Sequence, residues 1–392
     1  MALEIPVNDT ITLDALEREP YEIYKRLRRE SPVVRLSAIG RVLFTKASDT
    51  HFIKTSPHLF GSHDTTTPMQ RAFRGHTLMR KDGSEHRQER AAMAEAFSLD
   101  TITNEWVSVF THIAHDYISR LPRGEIIDLR SLFAAPLAAR CLARILGIDL
   151  ASDDDLQRWA STLIEGAMNA AQMSEVFERC DQANDEMDAC FDTMIAKHCK
   201  APNSSALSDM ATATNPLPVS QIRTNLRICI GGGLVETRDG LLTTLFGLLT
   251  RADQLEECLS GNLWEAACEE GLRWVAPIQT SPRLVLEETT IRGYRIPKGE
   301  TVLAAQASAN HDEDIWQKPE MFNLHRPLIR HQSFGDGAHN CLGQNVYRSL
   351  ISQVVLPMLF DRFPKLALVN ASAIEFQGFG FRGPASFPVS LN

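Results

Sequence analysis

Several things are scarce in this 392-residue chain, and each scarcity removes a class of function. Positive charge is not in excess: 40 Lys+Arg stand against 49 Asp+Glu, a net charge of -9. A general nucleic-acid binder carries a basic surface, so no nucleic-acid partner is expected. The eight cysteines (Cys141, Cys180, Cys190, Cys199, Cys229, Cys258, Cys268, Cys341) form no CxxC pair and no tight cluster. That scatter excludes zinc ribbons and iron–sulfur spacings, and its default reading is buried, reduced thiols of the cytosolic kind. No window approaches the roughly 20 apolar residues that span a bilayer. The N-terminal MALEIPVNDTITLDALEREPYEIYKRL lacks a cationic stretch followed by an apolar core, so the expectation is a cytoplasmic protein with no membrane partner. Internal repeats and low-complexity tracts are missing too.

What remains is the mix of a packed protein, 44% hydrophobic and 23% charged. The length exceeds the usual single-domain size, yet no stretch reads as a linker, so one domain over 1–392 is expected. Helical periodicity predicts helices over 20–29, 85–97, 102–121, 132–146, 156–171 and 173–198. The polar segment 200–219, with Pro202, Pro216 and Pro218, reads as a loop. A long helix over 220–250 is interrupted by Gly231-Gly232-Gly233, and helices over 252–260, 263–274 and 344–363 follow. Strand-like alternation marks 33–46 and 299–307, and 283–296 reads as a hairpin. The chain is therefore mainly α with a minor β region.

The sharpest local feature is FGDGAHNCLG, Phe334 to Gly343. A thiolate that ligates iron must be kept deprotonated and dry on one side. A cysteine just before a helix receives backbone N–H groups and the positive helix end, which lower its pKa. Gly335, Gly337 and Gly343 allow backbone conformations and close approaches that a Cβ forbids, and Phe334 can lie against the sulfur. Alone, Cys341 would be an incidental cysteine in a glycine-rich turn; the ten-residue pattern outweighs that reading.

The pattern resembles the haem loop FGxGxHxCxG of the cytochrome P-450 family, with every fixed position matched. The resemblance implies that Cys341 is the thiolate ligand of a haem b iron and the only protein ligand to the metal. It extends along the chain. Glu270-Gly271-Leu272-Arg273 matches the family's ExxR, and Arg326 in FNLHRP falls where a second arginine joins that pair, a structural triad. His86 and Arg90 match HxxxR, and with Arg283 and His339 they would meet the haem propionates. The implied fold is the family's triangular helical prism with a small β-rich region. Its haem lies between the long central helix and the helix after the cysteine loop.

The central helix departs from the family's small-small-x-acid-alcohol sequence. In GGGLVETRD, Glu236-Thr237 can be the acid-alcohol pair, which makes the second small residue Leu234. Alternatively Gly232 and Gly233 are the small residues and Glu236 replaces the alcohol. The second frame is preferred, because it keeps room for dioxygen. A carboxylate there resembles the aromatic O-demethylase branch, which acts on methoxyphenols such as guaiacol and syringol; EGLRW, SANHD, NLHRP and GFGFRGP are further likenesses. Carried over by position, Phe73, Ile228, Gly232, Ile278 and Phe381 would line the substrate cavity. Ala167-Met168 stands where that branch often sets an aromatic clamp, which implies a bulkier ring.

The expected activity is thus a haem-thiolate monooxygenase using dioxygen on a small apolar, aromatic substrate, with O-demethylation favoured in aromatic catabolism. Catalytic roles fall to Glu236 and Thr237. No flavin or iron–sulfur motif is present, so electrons would come from a separate NAD(P)H-linked reductase or ferredoxin, with Arg330 and Arg348 as cations near the thiolate. Competing expectations are hydroxylation of a terpenoid or aliphatic substrate, peroxide-driven oxygenation, and a non-enzymatic haem sensor.

Overall fold

Local sequence chemistry sets several helix ends in the computed structural model, which describes residues 3–63, 67–327 and 329–392. Pro20 opens helix Pro20–Glu30, where its fixed φ suits the first turn and its missing N–H is not needed. Ser152 caps helix Asp153–Ala167 by accepting from the Asp155 amide, and three aspartates in the first turn complement the helix dipole. Helix Ala135–Leu146 stops at Gly147, whose φ of 77° favours glycine.

Contacts group the chain into two units. The first comprises Met1–Asp64, Asp239–Cys341 and Ala367–Val389; the second comprises Thr65–Arg238, Leu342–Leu366 and Ser390–Asn392.

The first unit holds the main sheet, six strands in the order Val7–Asn8, Val33–Leu36, Arg41–Phe44, Thr301–Ala304, Ser281–Val285 and Phe60–Gly61. Alternation sends Val34, Leu36 and Leu43 into one apolar cluster with Tyr24 and Leu27. Val33, Val42 and Phe44 go into another with Ile53 and Val285, so both faces are covered. Segment 283–296 is not one hairpin. Ser281–Val285 pairs with Thr301–Ala304, while the hairpin is Thr289–Ile291 with Tyr294–Ile296, turned on Arg292 and Gly293 at positive φ.

The second unit is nearly all helix. Segment 200–219, read as a loop from its prolines, contains helix Ala206–Thr212; Ser205 caps it and Leu207 and Met210 are buried. The prolines flank that helix instead of breaking it. The long central helix is two, Val219–Gly231 and Val235–Leu249, separated at the glycines as the sequence suggested. The chain passes from the second unit to the first inside the latter. The final helical stretch runs through Gln344–Arg348, a π-helical Ser349–Val355 and Leu356–Arg362. Among the described residues, no helix is long and apolar enough to cross a membrane.

Candidate functional site

In the first unit, the cysteine loop is folded by its own backbone. The Cys341 amide donates to Phe334 O at 2.8 Å, the Gly335 amide to Gln332 O at 2.9 Å, and the Asn340 side chain to Phe334 O at 3.2 Å. Gly335 and Gly337 take φ of +70° and +65°, which a side chain resists. Gly337 is doubly constrained, since a Cβ there would overlap the Lys54 carbonyl. The result is an exposed Cys341, whereas Cys141, Cys180, Cys190, Cys258 and Cys268 are buried. Burial pushes the Cys190 thiol up to about 11 and Cys258 to about 12, so these sulfurs stay protonated at neutral pH.

Helix Trp264–Trp274 places Glu270 and Arg273 three residues apart on one face, where they pair through two bonds of 2.7 and 2.8 Å. Arg326 Nε donates to the same carboxylate at 2.8 Å, and the Asn323 amide adds a fourth bond at 2.8 Å. Arg273 also donates to Asn310 O, Pro319 O and Met321 O, and Arg326 to Gln317 O, Lys318 O and Met321 O. Two arginines thereby satisfy the carbonyls of an irregular segment that has no secondary structure to do so. Ser333 anchors the lead-in of the cysteine loop by donating to Leu272 O at 2.7 Å on that helix. Arg283 lies on strand Ser281–Val285, next to the edge of the main sheet. Half-buried Ile278 and Phe381 form an isolated antiparallel bridge.

The second unit carries the other candidates. His86 is buried and Arg90 half-buried on helix Gly83–Ala91, one turn apart. Buried Glu89 on that helix binds Lys81 and accepts from Gln221 at 2.8 Å. In the central helix, Gly232 is exposed and Glu236 half-buried; a Cβ on Gly232 would lie 4.0 Å from Glu236 Oε1. The carboxylate therefore reaches back one turn, beside Gly232. Leu234 is buried, and the Thr237 hydroxyl donates to Gly233 O at 2.7 Å. Phe73 is buried, its ring against Gly231, where a Cβ would come within 2.8 Å. Ala167 and Ile228 are half-buried, and Gly343 leads into helix Gln344–Arg348. Of the two cations assigned to a partner surface, Arg330 sits 3.4 Å from Asp336, and Arg348 donates to Gln344 at 3.1 Å.

Sequence reading missed the platform beneath the cysteine loop. Helix Ala47–Thr55 meets it through His51 on Asp336 (2.6 Å) and through Thr50 and Lys54, both donating to Gln332 (2.9 and 3.1 Å). More than 270 residues separate the partners, and no local pattern announces them.

The donor set fits a haem. Among the described residues, no group of three or more His, Cys, Asp or Glu could hold a bare metal ion. A single exposed thiol on a rigid loop suits a metal whose other ligands come with it.

Comparisons with known proteins point the same way. Residues 254–365 match the family model Cytochrome P450. The chain is 23% identical over 397 residues to pulcherriminic acid synthase of Bacillus subtilis, covering 98% of both proteins. It is 28% identical over 322 residues to mycinamicin IV hydroxylase/epoxidase of Micromonospora griseorubida, covering 80% of this chain and 79% of that one. The solved structure of CalO2 superposes with a TM-score of 0.88 at 22% identity over 99% of each chain. That likeness establishes the fold expected from the sequence. The chain is similar to cytochrome P450 proteins, by family model over residues 254–365 and by fold along its length, and is an oxidoreductase of the P450 monooxygenase type, working with a thiolate-ligated haem and an external redox partner.

Proposed function

We propose that residues 1–392 act as one cytoplasmic haem domain that O-demethylates a methoxylated aromatic ring larger than guaiacol, with Cys341 as the iron ligand. The observation that carries this reading is the Glu236 carboxylate beside Gly232, where the family ordinarily has an alcohol. It favours the frame in which Gly232 and Gly233 are the small residues, since the other frame puts buried Leu234 at the oxygen position. The names of the relatives describe a synthase and a hydroxylase/epoxidase, so likeness to them leaves the substrate open.

The roles divide as follows. When bound, the haem supplies the oxygen-activating iron, and electron donation from the thiolate favours O–O cleavage. By the resemblance, His86 and Arg90 of the second unit and Arg283 and His339 of the first are the residues that would hold its propionates, and Phe334 would shield the sulfur. Gly232 leaves space beside the helix, and Glu236 holds and delivers protons at Oε1. Thr237 is already bonded to Gly233 O and leaves that task to Glu236. By the resemblance, Ile278 and Phe381 in the first unit, and Phe73, Ile228 and Ala167 in the second, are the apolar side chains that would meet a flat ring. One oxygen atom enters the methoxy C–H bond and the other leaves as water, with two electrons and two protons consumed. The resulting hemiacetal collapses to a phenol and formaldehyde.

The test is a panel of methoxylated phenols and benzoates, terpenes and fatty acids, scored by spin shift and then by formaldehyde per NADH consumed. Formaldehyde equal to phenol formed supports demethylation, and hydroxylated product without formaldehyde replaces it with aliphatic or terpenoid hydroxylation. Turnover with hydrogen peroxide and no reductase would establish a peroxide-driven route instead. Glu236→Gln should lower product per reductant several-fold with haem content unchanged; equal coupling removes the proton role.

A further inference from the structure

We propose that Lys54 is a positioning residue for the carboxylate edge of the cofactor, a buried cation near Arg283 that the protein itself does not neutralise. The inference rests on the haem reading above and extends it to a residue outside the family motifs that carry it.

Lys54 is 4% exposed, on helix Ala47–Thr55. Its Nζ donates to Gln306 Oε1 at 2.9 Å and to Gln332 Oε1 at 3.1 Å. Neither glutamine needs it. Gln306 Oε1 also accepts from the Ser281 hydroxyl at 2.7 Å, and Gln332 Oε1 from the Thr50 hydroxyl at 2.9 Å. The two amide groups then donate to Ile278 O and Ala47 O. The network closes without an ammonium ion, so hydrogen-bond satisfaction does not account for a charge buried there.

Nor does an ion pair. Among the described residues no carboxylate lies within bonding distance of Lys54. The other lysines drawn into the fold do have one: Lys81 has Glu85 and Glu89, and Lys46 has Asp312 and Asp314. The carboxylate that acts on Lys54 from further away, Asp336, is engaged by His51 and Arg330. A second cation, Arg283, also acts on it. Ser281 and Arg283 alternate onto the same face of strand Ser281–Val285, and Ser281 is bonded to the glutamine that Lys54 binds. Burial, reinforced by Arg283, pushes the Lys54 ammonium down to about 7. Burying an unpaired charge is costly, and it persists where a ligand brings the counter-charge. A haem propionate at Arg283 supplies that counter-charge to both residues.

The same ammonium ties two parts of the site together. Gln306 fixes the Ile278 carbonyl, next to the bridge with Phe381, and Gln332 accepts the amide that starts the cysteine loop.

The test compares the haem-loaded wild type with Lys54→Met, which keeps the stem, and Lys54→Gln, which keeps a donor. Both lose the charge, and circular dichroism verifies folding. The expected result is a lower haem midpoint potential in both, because a removed cation no longer favours the reduced state. Haem loss to an apo-globin acceptor should be faster by about tenfold in both, a change typical for one poorly screened charge. Wild-type potential and loss rate in either folded variant overturn the proposal, as does an effect in Lys54→Met that Lys54→Gln restores, since that marks a hydrogen-bonding brace alone. A wild type that takes up no haem overturns the reading beneath it, a separate result visible before any variant is made.

Discussion

Both units are laced with arginine–carboxylate pairs, but solvent makes the two sets different devices. In the first unit, Glu270, Arg273 and Arg326 are buried side chains joined by one bidentate and one single bond and by carbonyls of an irregular segment. In the second, helix Ser174–Lys200 presents Asp181, Asp185, Asp188 and Asp192, spaced 4, 3 and 4 residues apart along one face. Arg71 and Arg74 from the segment carrying Phe73, and Arg223 and Arg227 from helix Val219–Gly231, grip that row. Most of these side chains are a third or more exposed; Asp188 and Arg227 are the inner members. The triad is a fixed strut that tolerates no missing partner. The ladder is a clasp, holding the Phe73 segment with several weak, screenable contacts. Equal chemistry thus yields rigidity where water is excluded and adjustability where it is not.

Four measurements sharpen or break this contrast, in order of effect. Glu270→Gln leaves two arginines without their charge partner and should cost about 3–5 kcal/mol in urea unfolding, unaltered by salt. A loss that shrinks in 1 M NaCl would mean that water reaches the triad. Asp188→Asn strands the buried Arg227 and should cost about 1–3 kcal/mol, intermediate in size and in salt response.

Next comes an acid limb. His311 is buried, and burial with Arg273, Arg28 and Arg326 nearby pushes it well below its usual value; in its neutral form it donates to Trp274 O at 2.8 Å. The unfolded chain binds that proton near pH 6.5 and the folded one does not. Stability held above that pH is therefore lost as pH falls through 6.5. His311→Gln should flatten the pH 5–7 part of the melting curve, and an unchanged slope would count against a buried, neutral imidazole beside the triad. Smallest is Asp185→Asn, which removes an exposed partner of Arg74 at a cost under about 1 kcal/mol, abolished at 1 M NaCl where the screening length is about 3 Å.

Legibility in the sequence followed the range of the interactions. The cysteine loop, the ExxR pair and the glycine break are local, and their spacing alone foretold their shapes. Segment 200–219 was misread because three prolines were weighed above the short apolar face of Ala206, Leu207 and Met210. The spacing of the ladder aspartates was readable, but not the arginines that meet them, which arrive from 31 to 111 residues away. Phe73 illustrates the limit best. Position suggested a cavity wall, yet only coordinates reveal its ring seated on Gly231, where one added carbon would displace it.

The unequal fate of the sulfurs has a final consequence. Eight cysteines offer the same soft donor, yet five are buried, Cys229 is half-buried, Cys199 is exposed on a helix, and only Cys341 stands on a loop whose glycines are bent to present it. Selection among them is made by address instead of by chemistry. An alkylating reagent applied to the haem-loaded protein would find the exposed Cys199, spare the five buried thiols while the fold lasts, and count them all once it is gone.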